Sequence, residues 1–153
     1  MFDFSRPFLR GMLAATVSVL LTGGPAAAAS ATLELSTPEA QARAAAGQLV
    51  LIDIRRPGEW RETGVAEGAA RIDMLHPNGA EGFVQAVLER VGGKLDAPIA
   101  LICRTGNRST QVQRYLLARG FTRVYNVPEG MAGSAAGPGW LRRGLPIESC
   151  AQC

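Results

Sequence analysis

The chain has 153 residues, of which 47% are hydrophobic, 19% charged and 6% aromatic, and this composition excludes a disordered, collagen-like or coiled-coil protein. Its 16 Lys and Arg against 13 Asp and Glu give a formal charge of +3 without basic blocks, so nucleic acid is not an expected partner. With one His and three Cys, the chain has too few of these residues for a His-rich metal site or a disulfide scaffold, and a Cys–His catalytic pair is nearly excluded.

The first 31 residues have the pattern of a secretory signal peptide. Basic residues lie within the first ten positions, residues 11–21 are apolar and uncharged, and small residues fill 26–31. Pro25 interrupts the apolar run too early for a transmembrane helix, which needs about 20 apolar residues. Cleavage after Ala29 or Ala31 would release an exported protein, periplasmic or secreted, without a membrane attachment; an uncleaved anchor is the alternative.

Helical and strand patterns alternate through the expected domain, residues 32–148, which is followed by a short tail at 149–153. Predicted helices run from Thr37, as N-cap, to about Ala46, from Arg56 onward, and over 81–91 and 107–118; predicted strands cover 49–54, 71–75, 98–102 and 123–127. Nearly continuous apolar strands are typical of strands covered on both faces. The sequence therefore predicts an α/β fold with a small parallel β-sheet and helices on both faces.

A loop without acidic residues follows the predicted strand at 98–102 and begins at Cys103. Gly106 permits a tight turn, and the loop leads directly into a helix. Free backbone N–H groups and the helix dipole converge in such a loop, so we expect it to bind an anion and to stabilise a Cys103 thiolate without a histidine base. The alternative is a cysteine that only fills space at a strand end, which leaves Arg104 and Arg108 unexplained.

Three segments, 51–60, 103–109 and 127–147, resemble the single-domain rhodanese-like sulfurtransferases, and the resemblance spans residues 33–148. It implies a rhodanese-like fold in which Cys103 takes a sulfane sulfur from a small anionic donor such as thiosulfate and becomes a persulfide. The sulfur would pass to a thiol, cyanide or protein acceptor, with no cofactor. The resemblance also implies that the donor is bound by the following loop residues: Arg104, Thr105, Gly106, Asn107 and Arg108.

Two other functions use the same architecture. Phosphatases of the rhodanese superfamily have five residues between the cysteine and the arginine of the loop, whereas four separate Cys103 from Arg108, so the ring fits a persulfide sulfur better than a phosphate. A rhodanese-like module that binds a partner protein or carries a persulfide without turnover is the second alternative. Two departures from the family pattern affect the expected substrate: 64–69 lacks the usual histidine, and 131–138 is expanded.

Charged residues near the first predicted strand are expected to have a structural role. Asp53 and Arg55 lie two residues apart on a strand and point the same way, and Glu59 is expected to form an ion pair with Arg55. His76 precedes a turn signal, so we expect a solvated side chain without a catalytic role.

The tail contains Cys150 and Cys153, which can form a disulfide in an oxidising compartment and leave Cys103 as the free thiol. Two thiols do not complete a tetrahedral zinc site, so no metal is expected. Two hypotheses remain for the pair. It is either an incidental disulfide in a frayed tail, or a functional dithiol that attacks a Cys103 persulfide and closes to a disulfide as the sulfur leaves.

Overall fold

A computed structural model of the protein describes residues 33–153, and the predicted signal peptide at 1–31 lies outside this range. The helices are α1 (Thr37–Ala45), α2 (Pro57–Thr63), α3 (Gly79–Arg90), α4 (Asn107–Ala118) and α5 (Gly139–Arg142). The strands are β1 (Val50–Asp53), β2 (Val65–Ala66), β3 (Ala70–Arg71), β4 (Ile99–Ile102), β5 (Val124–Asn126) and β6 (Ile147–Glu148). No helix within residues 33–153 is long and apolar enough to cross a membrane.

Four strands form a parallel sheet in the order β3-β1-β4-β5. The two central strands, β1 and β4, align so that Asp53 lies opposite Ile102, and every residue of β4 is buried. Their carboxyl ends therefore meet at one edge of the sheet, where ligands of parallel α/β sheets collect.

Helices cover both faces of this sheet, which confirms the predicted α/β class. One hydrophobic cluster joins β1 and β4 to α3 and α4, with Val87 and Leu116 fully buried. The other cluster joins the sheet to α1 and α5, with Ala40 and Trp140 fully buried. Burial of apolar side chains on both faces explains the continuous apolar runs of the central strands.

The N-cap of α1 is Ser36, so the prediction of Thr37 was wrong by one residue. The Ser36 backbone is extended, and its hydroxyl accepts the Glu39 N–H at 3.4 Å. Thr37 is instead fully buried, and its N–H donates to Glu129 Oε1 at 3.2 Å. The first residue of the helix is thus bonded to a partner 92 residues away along the chain.

The predicted strand at 71–75 is shorter in the structure, and one strand pair was not predicted. β3 contains only Ala70 and Arg71, although Ile72 N–H still donates to the Asp53 carbonyl at 3.1 Å. The unpredicted pair is β2 with β6, which are antiparallel and two residues long each. Strands this short have no recognisable alternation, and their pairing depends on a contact across the length of the domain.

Candidate active site

Cys103 directly follows the central strand β4 and is completely buried. Its Sγ lies 3.4 Å from the hydroxyl oxygen of Ser109, which also donates to the Gly106 carbonyl at 2.9 Å. That carbonyl accepts two further bonds, from the Thr110 hydroxyl at 2.9 Å and the Thr110 N–H at 3.0 Å. The Ser109 proton can therefore turn to a Cys103 thiolate without leaving the carbonyl unpaired.

Ser109 contacts the Cys103 sulfur, and the sequence analysis gave this residue no role. It is fully buried in the first turn of α4, where its side chain points back to the loop. A hydroxyl six residues after the cysteine, at the start of a helix, is the sequence signal that could have identified it.

The backbone amides of residues 104–109 face no acceptor among residues 33–153. The first N–H of this region that is paired belongs to Thr110, which donates to the Gly106 carbonyl. Six consecutive free donors at the N-terminus of a 12-residue helix, together with the helix dipole, are the features that an anion-binding loop requires. The residues predicted to bind the donor, 104–108, contribute five of these six free amides, and their role in donor binding stays a prediction.

Two glycines allow this loop to pack tightly against the segment after β5. Gly106 has φ +86°, and a Cβ there would lie 2.2 Å from the Pro128 carbonyl oxygen. Gly130 has φ +65°, and a Cβ there would lie 2.5 Å from the Arg104 carbonyl oxygen. Any larger residue at either position would both strain the backbone and push the two segments apart.

Hydrogen bonds from the same segment fix the carbonyls of the loop. Met131 N–H donates to the Cys103 carbonyl and Ala132 N–H to the Arg104 carbonyl, both at 2.8 Å. In a trans peptide the N–H points opposite to the C=O, so the N–H groups of Arg104 and Thr105 face away from this segment. The segment thus fixes the orientation of these two peptide units in advance.

Glu129 anchors the segment that follows it. Its buried carboxylate accepts the Gly139 N–H at 3.0 Å and Arg143 Nε at 2.8 Å, besides the Thr37 N–H. Burial raises the pKa of Glu129, but the hydrogen bonds from these three partners outweigh burial and hold the pKa below its ordinary value. The carboxylate is therefore charged at neutral pH, and it ties together α1, α5 and the expanded segment at 131–138.

Arg108 is paired with Glu59 by two short hydrogen bonds, of 2.6 and 2.8 Å. This pair corrects the expected Arg55–Glu59 ion pair, because Arg55 reaches only the Glu59 backbone carbonyl, at 3.4 Å. The Arg108 hydrogen bond lowers the pKa of Glu59, and the reciprocal bond raises the pKa of Arg108. Arg108 lies in the first turn of α4, so the pair is located beside the loop.

Arg55 forms its ion pair with Asp53 instead, the residue that the sequence places on the same side of the strand. Arg55 Nε lies 3.0 Å and Nη2 2.7 Å from the Asp53 carboxylate, and both side chains are almost completely buried. The remaining guanidinium donors reach the Thr63 hydroxyl and the Gly64 carbonyl, each at 2.7 Å. The bridge joins the end of β1 to the end of α2.

Arg104 differs from Arg108 because its guanidinium has no hydrogen-bond or ion-pair partner among residues 33–153. It is exposed and lines a cavity of about 70 Å³ beside the loop, together with Met131 and Ala132. Thr105 and Asn107 are exposed, and their side chains make no hydrogen bond within the same part of the chain. Arg104 is therefore the loop cation that is available to an incoming anion.

Cys150 and Cys153 are bonded to each other in the structure, with a Cα–Cα distance of 5.4 Å. They lie beside α2, where Arg61 donates to the Cys153 carbonyl. Arg61 and Glu59 are two residues apart on this helix and so point about 200° apart around its axis. Because Glu59 faces Arg108, the helix separates the disulfide from the Arg108 side of the loop.

Acidic pH should weaken the Glu59–Arg108 pair. A lowered pKa means that Glu59 contributes stability above its ordinary value of 4.5, and that this contribution is lost as the pH falls through the lower pKa of the folded state. Both side chains are part-exposed, so we expect a contribution of only about 0.5–1 kcal/mol. The measurement is urea unfolding of wild type and Glu59→Gln from pH 7 to pH 3.

The free energies of unfolding of wild type and Glu59→Gln should differ at pH 7 and converge as the pH falls. Glu39→Gln serves as the matched control, since Glu39 forms an exposed pair with Arg43 on α1. A gap between wild type and Glu59→Gln that stays constant down to pH 3 would contradict the lowered pKa.

Among residues 33–153, no three His, Cys, Asp or Glu side chains come together as metal ligands would.

Comparison with known proteins gives a consistent family. The Rhodanese-like domain matches residues 36–136. A protein named Sulfurtransferase from Allochromatium vinosum is 29% identical over 99 residues, which cover 65% of this chain and 78% of that protein.

The solved structure of Rv0390 from M. tuberculosis has a TM-score of 0.60 at 25% identity, and the matched region covers 76% of this chain and 97% of Rv0390. The human single-domain sulfurtransferase TSTD1 has a TM-score of 0.50 at 25% identity, over 64% of this chain and 90% of its own. The chain belongs to the rhodanese-like domain family.

Proposed function

We propose that the protein is a sulfurtransferase that moves a sulfane sulfur from a small anionic donor such as thiosulfate to a thiophilic acceptor. The sulfur is carried as a persulfide on Cys103. The observation that carries this proposal is the buried Cys103 sulfur at the start of a loop whose next six amides have no acceptor among residues 33–153. The relatives named as sulfurtransferases support the same reaction class.

The reaction takes two displacements at sulfur. The Cys103 thiolate attacks the outer sulfur of thiosulfate, the sulfur–sulfur bond of the donor breaks, and sulfite leaves with the bonding electrons. A nucleophilic acceptor then attacks the outer persulfide sulfur, and the Cys103 thiolate leaves. No net oxidant or reductant is consumed, and the loop amides stabilise the negative charge at each stage.

The Ser109 hydroxyl assists the cysteine in this scheme. At 3.4 Å from Sγ it can donate to the thiolate before attack and again when the thiolate leaves. The Thr110 bonds to the Gly106 carbonyl allow this change of partner. Ser109 thus acts as a positioning residue for the nucleophile.

Phosphate chemistry is less well supported. The ring has four residues between Cys103 and Arg108, one fewer than in the phosphatases of the rhodanese superfamily, and therefore leaves less room for a tetrahedral phosphate.

The proposal is tested by intact mass and by turnover. Incubation with thiosulfate should add one sulfur atom to the protein, and peptide mapping should assign it to Cys103. With cyanide added, thiocyanate should form at steady state. A stable persulfide without thiocyanate formation would identify the alternative, a carrier or binding module, and absence of the added sulfur would contradict both.

Arg104 should bind the anionic group of the donor. We expect Arg104→Gln to raise the KM for thiosulfate about fivefold with a smaller change in kcat, since one exposed charged contact is worth about 1 kcal/mol. Arg123→Gln is the matched control, because Arg123 lies at the amino ends of the strands and its Nε donates to the Asp96 carbonyl. Equal KM values for thiosulfate in the two variants would show that Arg104 does not bind the donor.

A further inference from the structure

The disulfide in the tail has an environment that differs from that of a frayed terminus. Cys150 is only 7% exposed and packs in a small cluster with Trp60 and Val65. Cys153 is half-buried at the edge of the same cluster. One sulfur is thus shielded while the other can be reached by an external thiol.

The guanidinium of Arg71 contacts both sulfurs of the disulfide. Arg71 Nη1 is 2.8 Å from the Cys150 Sγ and 3.2 Å from the Cys153 Sγ. Arg71 forms no ion pair with a carboxylate within residues 33–153, and its guanidinium makes hydrogen bonds only to these sulfurs. A cation held against sulfur favours the thiolate that forms when a disulfide opens.

We propose that Cys150 and Cys153 form a second, redox-active site that exchanges with external thiols, with Arg71 as its positioning residue. The site requires a thiol as co-reactant and no step at Cys103, so it goes beyond the sulfur transfer proposed above. An external thiol can reach this sulfur, because it lies in an open groove lined by Arg71 and residues 149–153.

The exchange balances in two steps. An external thiolate attacks the Cys153 sulfur, the Cys150–Cys153 bond breaks, and the Cys150 thiolate leaves toward the closer Arg71 contact. A second external thiol then attacks the mixed disulfide, which releases Cys153 as a thiol and an external disulfide. The tail pair is reduced by two electrons, and the two external thiols are oxidised.

The location of the site supports its independence from Cys103. Arg61 holds the Cys153 carbonyl on one side of α2, and Glu59 holds Arg108 on the other side. Exchange with an external thiol needs no approach to Cys103, so it does not depend on the hypothesis that the tail attacks a Cys103 persulfide.

The experiment uses the full chain with Cys103→Ser, so that all remaining thiols belong to the tail. The oxidised protein is treated with reduced glutathione, and thiols are counted by alkylation and mass over time. Arg71→Met in this background should slow reduction at least about threefold, because the leaving thiolate loses its cation. Arg71→Lys should recover part of the rate.

Arg61→Met is the matched control, since Arg61 contacts the tail through a backbone carbonyl and not through sulfur. Its reduction rate should stay within about twofold of the parent. Circular dichroism of each variant checks that the fold is retained. Equal rates in Arg71→Met and Arg61→Met, or a pair that glutathione does not reduce, would overturn the proposal, and neither result bears on persulfide formation at Cys103 in the wild type.

Discussion

Replacement of Cys103 by serine should reduce sulfur transfer from thiosulfate to cyanide by at least about 1,000-fold. A serine hydroxyl has nearly the same size but forms no persulfide. The fold should survive, because the new hydroxyl can bond to Ser109 and to the free amides of the loop, and we expect a loss of only about 1 kcal/mol in unfolding free energy. Steady-state thiocyanate formation and urea unfolding measure the two effects.

The control for this result removes the other two thiols. A Cys150→Ser, Cys153→Ser double variant keeps Cys103 and should retain thiosulfate turnover, since α2 separates the tail from the Arg108 side of the loop. If Cys103→Ser kept near wild-type turnover, or if the double variant lost turnover, the sulfur carrier would be a tail cysteine.

Replacement of Arg55 by methionine should destabilise the protein by about 3–5 kcal/mol. Asp53 is completely buried, and beyond Arg55 its carboxylate has no other cation within hydrogen-bond distance in residues 33–153. The substitution leaves that charge uncompensated and also removes the donors to Thr63 and Gly64. Urea unfolding at pH 7 gives the free-energy change.

Arg43→Met tests the same chemistry at the surface. Arg43 and Glu39 form an exposed pair one helical turn apart on α1, with side chains 38% and 46% exposed, so its loss should cost less than about 0.5 kcal/mol. Adding Asp53→Asn to Arg55→Met should recover part of the stability, since it removes the unpaired charge. Similar losses in Arg43→Met and Arg55→Met would show that burial does not set the strength of the pair.

The central part of the fold could be predicted because its signals are local. The apolar runs that became β1 and β4 need helices on both faces, and the glycine-bearing loop between β4 and α4 carries its own turn and helix start. Cys103 and the loop that follows it were therefore identified from neighbouring residues alone.

The contacts that were missed connect distant parts of the chain. Glu59 pairs with Arg108, 49 residues away, because α2 folds over the start of α4. Arg55, only four residues from Glu59, is already occupied by Asp53. Sequence spacing favours the nearer arginine, and only the packing of the helices decides between the two.

The segment between Glu129 and Arg143 combines a fixed part, which holds the loop after Cys103, with an exposed tip. Its fixed points are the Glu129 carboxylate and the two backbone bonds that hold the loop, whereas its tip at 134–136 is exposed and closed by a Ser134–Gly137 pair. The cavity beside the loop is lined by Met131 and Ala132 and not by the tip, and the N–H groups of the same two residues hold the carbonyls of Cys103 and Arg104. Substitutions at the exposed tip are therefore expected to leave the geometry of the loop around Cys103 unchanged.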